Sequence, residues 1–355
     1  MCKLYIFISF IKYIYDKIYI GDDKYMLILA KSILSITLGL VIAIVTGLIC
    51  LPFLRKLKAT QTVSNLINKR HLKKNGTPTI GGLIFIIPPL LIVLLLTLRG
   101  SIVMNSNLII ILLVFVVYGL LGFIDDYLKI KYHNNKGLPT LVKLLLQIIL
   151  ATVFTIIYVK NGGTTALDVS LLGIHLELGW GYTLFVLFLL VATTNAVNIT
   201  DGLDGLCGGL SMMAFLAYGV IAFGSTWISG YESIAVFSFA LVGSIIGFLL
   251  FNSHPAKVFM GDTGSLALGG ALASIAILTH HEVSLALIGG VFVIETLSSL
   301  IQIIAIRKFN KKVFLKAPLH HHFEELGWEE TDIVKVFWVA GFLLAMFGVI
   351  YGVWL

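Results

Sequence analysis

Charge is what this chain has least of. Only 12% of its 355 residues are Asp, Glu, Lys or Arg, while 58% are hydrophobic and the mean hydropathy is +1.00. A water-soluble protein carries about a quarter charged residues, so a pair of soluble domains is excluded. Cysteine is also scarce. Cys2, Cys50 and Cys207 form no CxxC and no disulfide framework. Strict polar–apolar alternation is missing, which argues against a membrane β-barrel. No period repeats, which excludes a solenoid. The first 25 residues, rich in Tyr and Ile, are broken by Lys12, Asp16 and Lys17. They offer no clean apolar stretch and no small-residue cleavage site, so they make a poor signal peptide.

What the chain does have is apolar runs of about 20 residues, the length that crosses a bilayer. Ten spans are expected, at 26–51, 79–98, 107–125, 140–159, 181–199, 206–223, 233–251, 264–279, 284–306 and 333–354. The fold class is therefore an all-α polytopic membrane protein with residues 26–355 as one transmembrane domain. Residues 1–25 are an extension, either an interfacial helix or a start assigned too early, with Met26 as the initiator. Positive charge is lopsided. Arg55, Lys56, Lys58, Lys69, Arg70, Lys73 and Lys74 fall between the first two spans. Lys129, Lys131, Lys136 and Lys143, then Lys257, then Arg307, Lys308, Lys311, Lys312 and Lys316 follow on the same side. The opposite side has Arg99 and Lys160. The basic side is expected to be cytoplasmic.

Five aspartates lie at that same face: Asp125 and Asp126, Asp201 and Asp204, and Asp262. Carboxylates at a bilayer edge are costly and tend to be functional. With lysines beside them, they suggest a divalent cation and phosphate chemistry. Asp125 and Asp126 diverge by about 100° on a helix, so they cannot serve one role equally; Lys129 is within pairing reach of either. Asn195, Asn198, Asp201 and Asp204 recur at spacing three, and their oxygens suit Mg²⁺. Lys74-Asn-Gly-Thr-Pro-Thr-Ile-Gly-Gly82 is a turn whose N–H groups and hydroxyls, with Thr79 among them, can hold phosphate. His320, His321 and His322 can meet phosphate or metal, although consecutive histidines diverge. Each segment also has a plain reading. Asp125 and Asp126 would end a helix, Asp262 would cap the next one, and the histidines would lie in a solvated loop.

As a set, Gly76–Gly82, Asp125-Asp126, Asn195–Gly205, Phe259–Ser265 and Pro318–Glu324 resemble the phospho-N-acetylmuramoyl-pentapeptide transferases, within the polyprenyl-phosphate sugar-1-phosphate transferase superfamily. The resemblance runs over about residues 26–355. It departs at 61–73, where the family's usual Gly-Pro is replaced. It implies transfer of phospho-MurNAc-pentapeptide from UDP-MurNAc-pentapeptide to undecaprenyl phosphate, giving lipid I and UMP with Mg²⁺ required. The enzyme would sit in the bacterial cytoplasmic membrane with its site facing the cytoplasm. Asp262 is expected to ligate Mg²⁺. Asp125 is expected to act as base toward the lipid phosphate, with Asp126 supporting it or the metal. Lys74, Thr79, Asn198, Asp201, Asp204, Asn252 and Phe259 are placed at the nucleotide-sugar, His321 and His322 at the diphosphate or sugar, and Lys129 is expected to bind substrate. Membrane lipid is the other partner, nucleic acid is not, and a homodimer is left open. The rivals are a polyprenyl-phosphate GlcNAc-1-phosphate transferase, a secondary transporter and an intramembrane aspartyl protease. The Pro318-Leu-His-His-His-Phe-Glu324 segment favours the muramoyl branch. A transporter would place its charges near the midplane, where only Glu295 lies.

Overall fold

A computed structural model describes residues 23–56, 76–132, 137–169, 174–225 and 230–354, with side chains from residue 27 to residue 352. Lys74, the segment 61–73 and residues 1–22 lie outside the described residues. The described helices are α1 (Asp23–Lys56), α2 (Leu83–Leu98), α3 (Ser106–Lys131), α4 (Thr140–Lys160), α5 (Trp180–Thr200), α6 (Leu206–Gly224), α7 (Tyr231–Asn252), α8 (Gly261–Leu278), α9 (Glu282–Ile288), α10 (Gly290–Phe309), α11 (Leu319–Glu325) and α12 (Glu330–Trp354). Nine of them are long and apolar enough to cross a membrane. α2, with 16 residues, is shorter. At 1.5 Å per residue it extends about 24 Å, against about 30 Å of hydrocarbon. A two-stranded antiparallel hairpin, β1 (Ala166–Val169) with β2 (Ile174–Glu177), joins α4 to α5.

α8 is the centre of the bundle. From Thr263 to Leu278 every residue is buried. Its small residues let neighbours approach closely, as packing without a hydrophobic driving force requires. The tightest crossing is with α3. A Cβ on Gly122 would sit 2.0 Å from the Asp262 carbonyl oxygen, so only glycine fits. This crossing brings the ends of two distant motifs together. The buried strip 78–82 is bound to the chain just before α8: Phe259 N–H donates to Pro78 O at 2.9 Å, and Gly81 N–H to Phe259 O at 2.8 Å.

Two expected boundaries are corrected. The expected span 284–306 is two helices, α9 and α10, broken at the adjacent Gly289 and Gly290. Paired glycines favour such a break, and apolar composition does not reveal it. The expected span 107–125 continues to Lys131, so Asp125 and Asp126 sit within α3 rather than ending it.

Candidate active site

Asp125, Asp126 and Asp262 converge, each offering an oxygen within 4.8 Å of the others. Their partners separate their roles. Asp126 Oδ1 accepts from Asp262 N–H at 3.2 Å, and Oδ2 accepts from Thr263 N–H at 2.9 Å and Thr263 Oγ1 at 2.7 Å. Asp126 thus caps α8 from across the α3–α8 crossing, satisfying N–H groups that a helix start leaves open. Asp262 makes no cap of its own; it sits in the first turn with its carboxylate bound by Asn198, Lys129 and Lys143. The plain reading of Asp262 as an N-cap is therefore corrected. Asp125 faces elsewhere, accepting from Leu138 N–H at 2.8 Å and pairing with Lys129 at 2.6 Å. The divergence of adjacent helical side chains accounts for this division.

Two lysines interleave with the acids. Lys129 Nζ lies 3.0 Å from Asp262 Oδ2 and 3.7 Å from Asp126 Oδ1. Lys143 hydrogen-bonds the same Asp262 oxygen and lies 3.9 Å from Asp125. In sequence Lys143 reads only as a cytoplasmic charge. Its part in the site follows from the packing that brings the first turn of α4 to the start of α8. Three carboxylates and two ammoniums leave a formal charge of −1 in a confined space. The donor set fits a hard cation. Opposite oxygens on an octahedral Mg²⁺ stand about 4.2 Å apart, twice the ~2.1 Å bond, which the 4.8 Å cluster accommodates. Thr79 Oγ1, buried and without a hydrogen-bond partner among the described residues, lies beside this cluster: a Cβ on Gly261 would touch both it and Asp126 Oδ2.

Asn198 extends the site from the end of α5. Its Nδ2 donates to Asp262 Oδ1 and to Ser265 Oγ, both at 2.8 Å. Asn195, one turn earlier, donates to Gln147 Oε1 at 2.7 Å. Asp201 caps the C-terminus of α5 and is half-buried. Asp204 is tied into a second cluster. Its Oδ2 accepts from Ala256 N–H at 3.0 Å and lies 3.2 Å from His254 Nδ1, while its own N–H donates to Glu330 Oε1 at 2.7 Å. Asn252 is buried and clamps two loops, accepting from Gly205 N–H and donating to Val258 O. Phe259 is half-buried, its backbone held by the 78–82 strip. His254 and Glu330 escape a reading of the sequence because their role depends on pairing across the fold.

The histidines do not form an open loop, which corrects the plain reading of them as solvated. His320 is 1% exposed, at the start of α11. His321 Nδ1 lies 2.6 Å from Glu324 Oε2, and burial holds its imidazole below the ordinary value. His322 Nδ1 accepts from Leu315 N–H at 3.1 Å, which leaves the proton on Nε2.

Residues 108–280 match the family described as glycosyl transferase family 4. The phospho-N-acetylmuramoyl-pentapeptide-transferase of Geobacillus sp. (strain WCH70) is 46% identical over 323 residues, covering 91% of this chain and 98% of that protein. The protein of the same name from Bacillus subtilis (strain 168) is also 46% identical, over 90% and 98%. The one from Anoxybacillus flavithermus is 45% identical over 328 residues, 91% and 99%. With this level of identity along nearly the whole of each relative, the chain belongs to the phospho-N-acetylmuramoyl-pentapeptide transferase family.

Proposed function

We propose that this membrane enzyme transfers phospho-MurNAc-pentapeptide from UDP-MurNAc-pentapeptide to undecaprenyl phosphate at the cytoplasmic face, releasing UMP and forming lipid I. The observation that carries this reading is the convergence of Asp125, Asp262, Lys129 and Lys143 at the α3–α8 crossing. An oxygen of the lipid phosphate attacks the sugar-bearing phosphorus, a new P–O bond forms, and the bond to UMP breaks. Both partners are anionic, so the cost lies in bringing them together. Lys129 and Lys143 are cations beside Asp262 and are suited to hold diphosphate oxygens. Asp125 takes the proton of the lipid phosphate when that phosphate is monoprotonated. Leu138 N–H and Gly137 cover its carboxylate, so access requires that short segment to shift.

Mg²⁺ is proposed as the cofactor, held through Asp262 with Asp125 near; when bound it screens the diphosphate and stabilises the leaving phosphate. Asp126 fixes the start of α8, and so the position of Asp262. Phe259 is proposed to stack on uracil. Thr79, Asn198, Asp201, Asp204, Asn252 and Lys74 are proposed around the nucleotide-sugar, with Asn252 acting through the loops it clamps. His321 and His322 complete the sugar side.

The test is UMP release by the purified chain with UDP-MurNAc-pentapeptide and undecaprenyl phosphate, with Mg²⁺ and with EDTA. UMP and lipid I in equal amounts, lost with EDTA, are expected. Equal use of UDP-GlcNAc, or turnover in EDTA, would overturn the substrate or the metal assignment respectively.

A further inference from the structure

Glu295 is the one acid placed well inside an expected span, and the reaction as described makes no use of it. It lies in α10, a helix whose other faces are largely apolar and exposed, yet its own side chain is fully buried. A buried carboxyl group demands hydrogen-bond partners for its oxygens. Glu295 finds both in one residue: Oε1 accepts from His320 N–H at 3.1 Å, and Oε2 faces His320 Nδ1 at 3.0 Å. Two turns further along the same face, Gln302 binds the same connecting segment. Its Oε1 accepts from Val313 and Phe314 N–H, and its Nε2 donates to Phe314 O. One face of α10 therefore docks the chain from 313 to 320 at two points about 10 Å apart along the helix axis.

The other edge of the His320 ring meets the Asp201–Gly205 turn. A Cβ on Gly202 would lie 2.3 Å from His320 Nε2, so the ring backs directly onto the turn. The carboxylate accepts at Nδ1, which assigns the proton there and leaves Nε2 toward Gly202. His320 is itself buried, so it reaches substrate only through what it supports.

We propose that Glu295 is a positioning residue for nucleotide-sugar binding: with His320 it forms a buried carboxylate–imidazole pair that sets the Asp201–Gly205 turn. This rests on the reading that the turn binds the nucleotide-sugar. Gly202 then separates two functional carboxylates and is also the only residue type that fits against the ring.

The test uses the full chain in detergent or nanodiscs, with UMP release as the readout. Glu295→Gln keeps the shape but faces Nδ1 with an amide that can donate, which permits the reversed tautomer. It should raise KM for UDP-MurNAc-pentapeptide about tenfold or more and change kcat much less. The ¹⁵N signals of His320 should move from the Nδ1–H toward the Nε2–H pattern. Gly202→Ala, which forces the turn and the ring apart without altering Glu295, should give the same split between KM and kcat. Asp201→Asn is the control for the turn itself. If Asp201→Asn raises KM while Glu295→Gln and Gly202→Ala do not, the positioning role fails and the turn reading stands. If Asp201→Asn leaves KM unchanged, the turn reading fails and takes the proposal with it. A Glu295→Gln loss that only tracks a smaller folded fraction, with the His320 signals unmoved, also overturns the proposal.

Discussion

The two ends of the bundle bury carboxyl groups in opposite ways. At one end, Asp125, Asp126 and Asp262 are packed among Lys129 and Lys143, whose ammonium nitrogens stand 2.6–3.9 Å from the oxygens of Asp125 and Asp126. At the other end, at the first residue of α9, Glu282 is 3% exposed and accepts from the Tyr182 hydroxyl at 2.5 Å. Beside it, Tyr218 donates to the His281 carbonyl at 3.0 Å. Burial pushes the Glu282 carboxyl up to about 7 and the His281 imidazole down to about 4. The Glu282 cluster thus meets desolvation by favouring neutral forms, and the α3–α8 cluster sets lysines among its carboxylates. Neutral ties suffice to join helices. Retained charge is what phosphate chemistry needs.

Removing charge at the first end should have the largest effect. Asp262→Asn should lower transfer by about 10²–10³-fold or more, the scale of losing a group that stabilises developing charge, while the protein remains inserted and folded. Wild-type turnover at saturating Mg²⁺ would sink the assignment. The neighbouring pair should then separate by kind. Asp126→Ala removes the cap on α8 and should cost roughly 1–2 kcal/mol of stability together with activity. Asp125→Asn should melt near wild type and recover rate as pH rises, because a phosphate with its second pKa near ~6 then ionises unaided. A flat pH–rate profile in Asp125→Asn would count against the base.

Nucleotide recognition is a smaller term. Phe259 precedes Asp262 by three residues, and one short loop holds both. Base–aromatic stacking is worth roughly 1–3 kcal/mol, or about 5- to 150-fold in affinity at ~1.4 kcal/mol per decade. Phe259→Ala should raise KM for the UDP-sugar by that order and alter kcat less, since the contact is made in ground and transition states alike. An unchanged KM with lowered stability would make Phe259 a packing residue instead.

Much of this was legible before the fold, and the reasons are local. Apolar runs of bilayer length mark the spans, and the divergence of Asp125 from Asp126 follows from helical geometry alone. What pairs across the fold was not legible. Lys143 reaches Asp262 from α4, Glu330 reaches the Asp204 backbone from α12, and Glu295 reaches His320 across 25 residues. Each looks in sequence like an ordinary interfacial charge or a blemish in a span. The break at Gly289 and Gly290 escaped for a related reason: the apolar run is unbroken, and only the backbone turns.

The smallest effect on turnover is expected at the neutral end, where it sharpens the contrast most. Glu282 has a folded value of about 7 against an ordinary 4.5. As pH rises, the unfolded chain loses this proton first, so the stability tied to the protonated carboxyl is full below about 4.5 and is lost through about 7. His281 acts the other way: its folded value of about 4 lies below the ordinary 6.5, so it weakens the fold as pH falls through that window. The difference between wild type and Glu282→Gln cancels the histidine, which both proteins keep. Glutamine still accepts from Tyr182 and has no proton to lose. Glu282→Gln should therefore gain thermal stability over wild type progressively from about pH 5 to about 7.5, with unchanged UMP release at each pH. Parallel melting curves for the two proteins would show that Glu282 is not held neutral. A loss of transfer in a fully folded variant would show that the two ends are coupled, and that the Glu282 cluster does more than join helices.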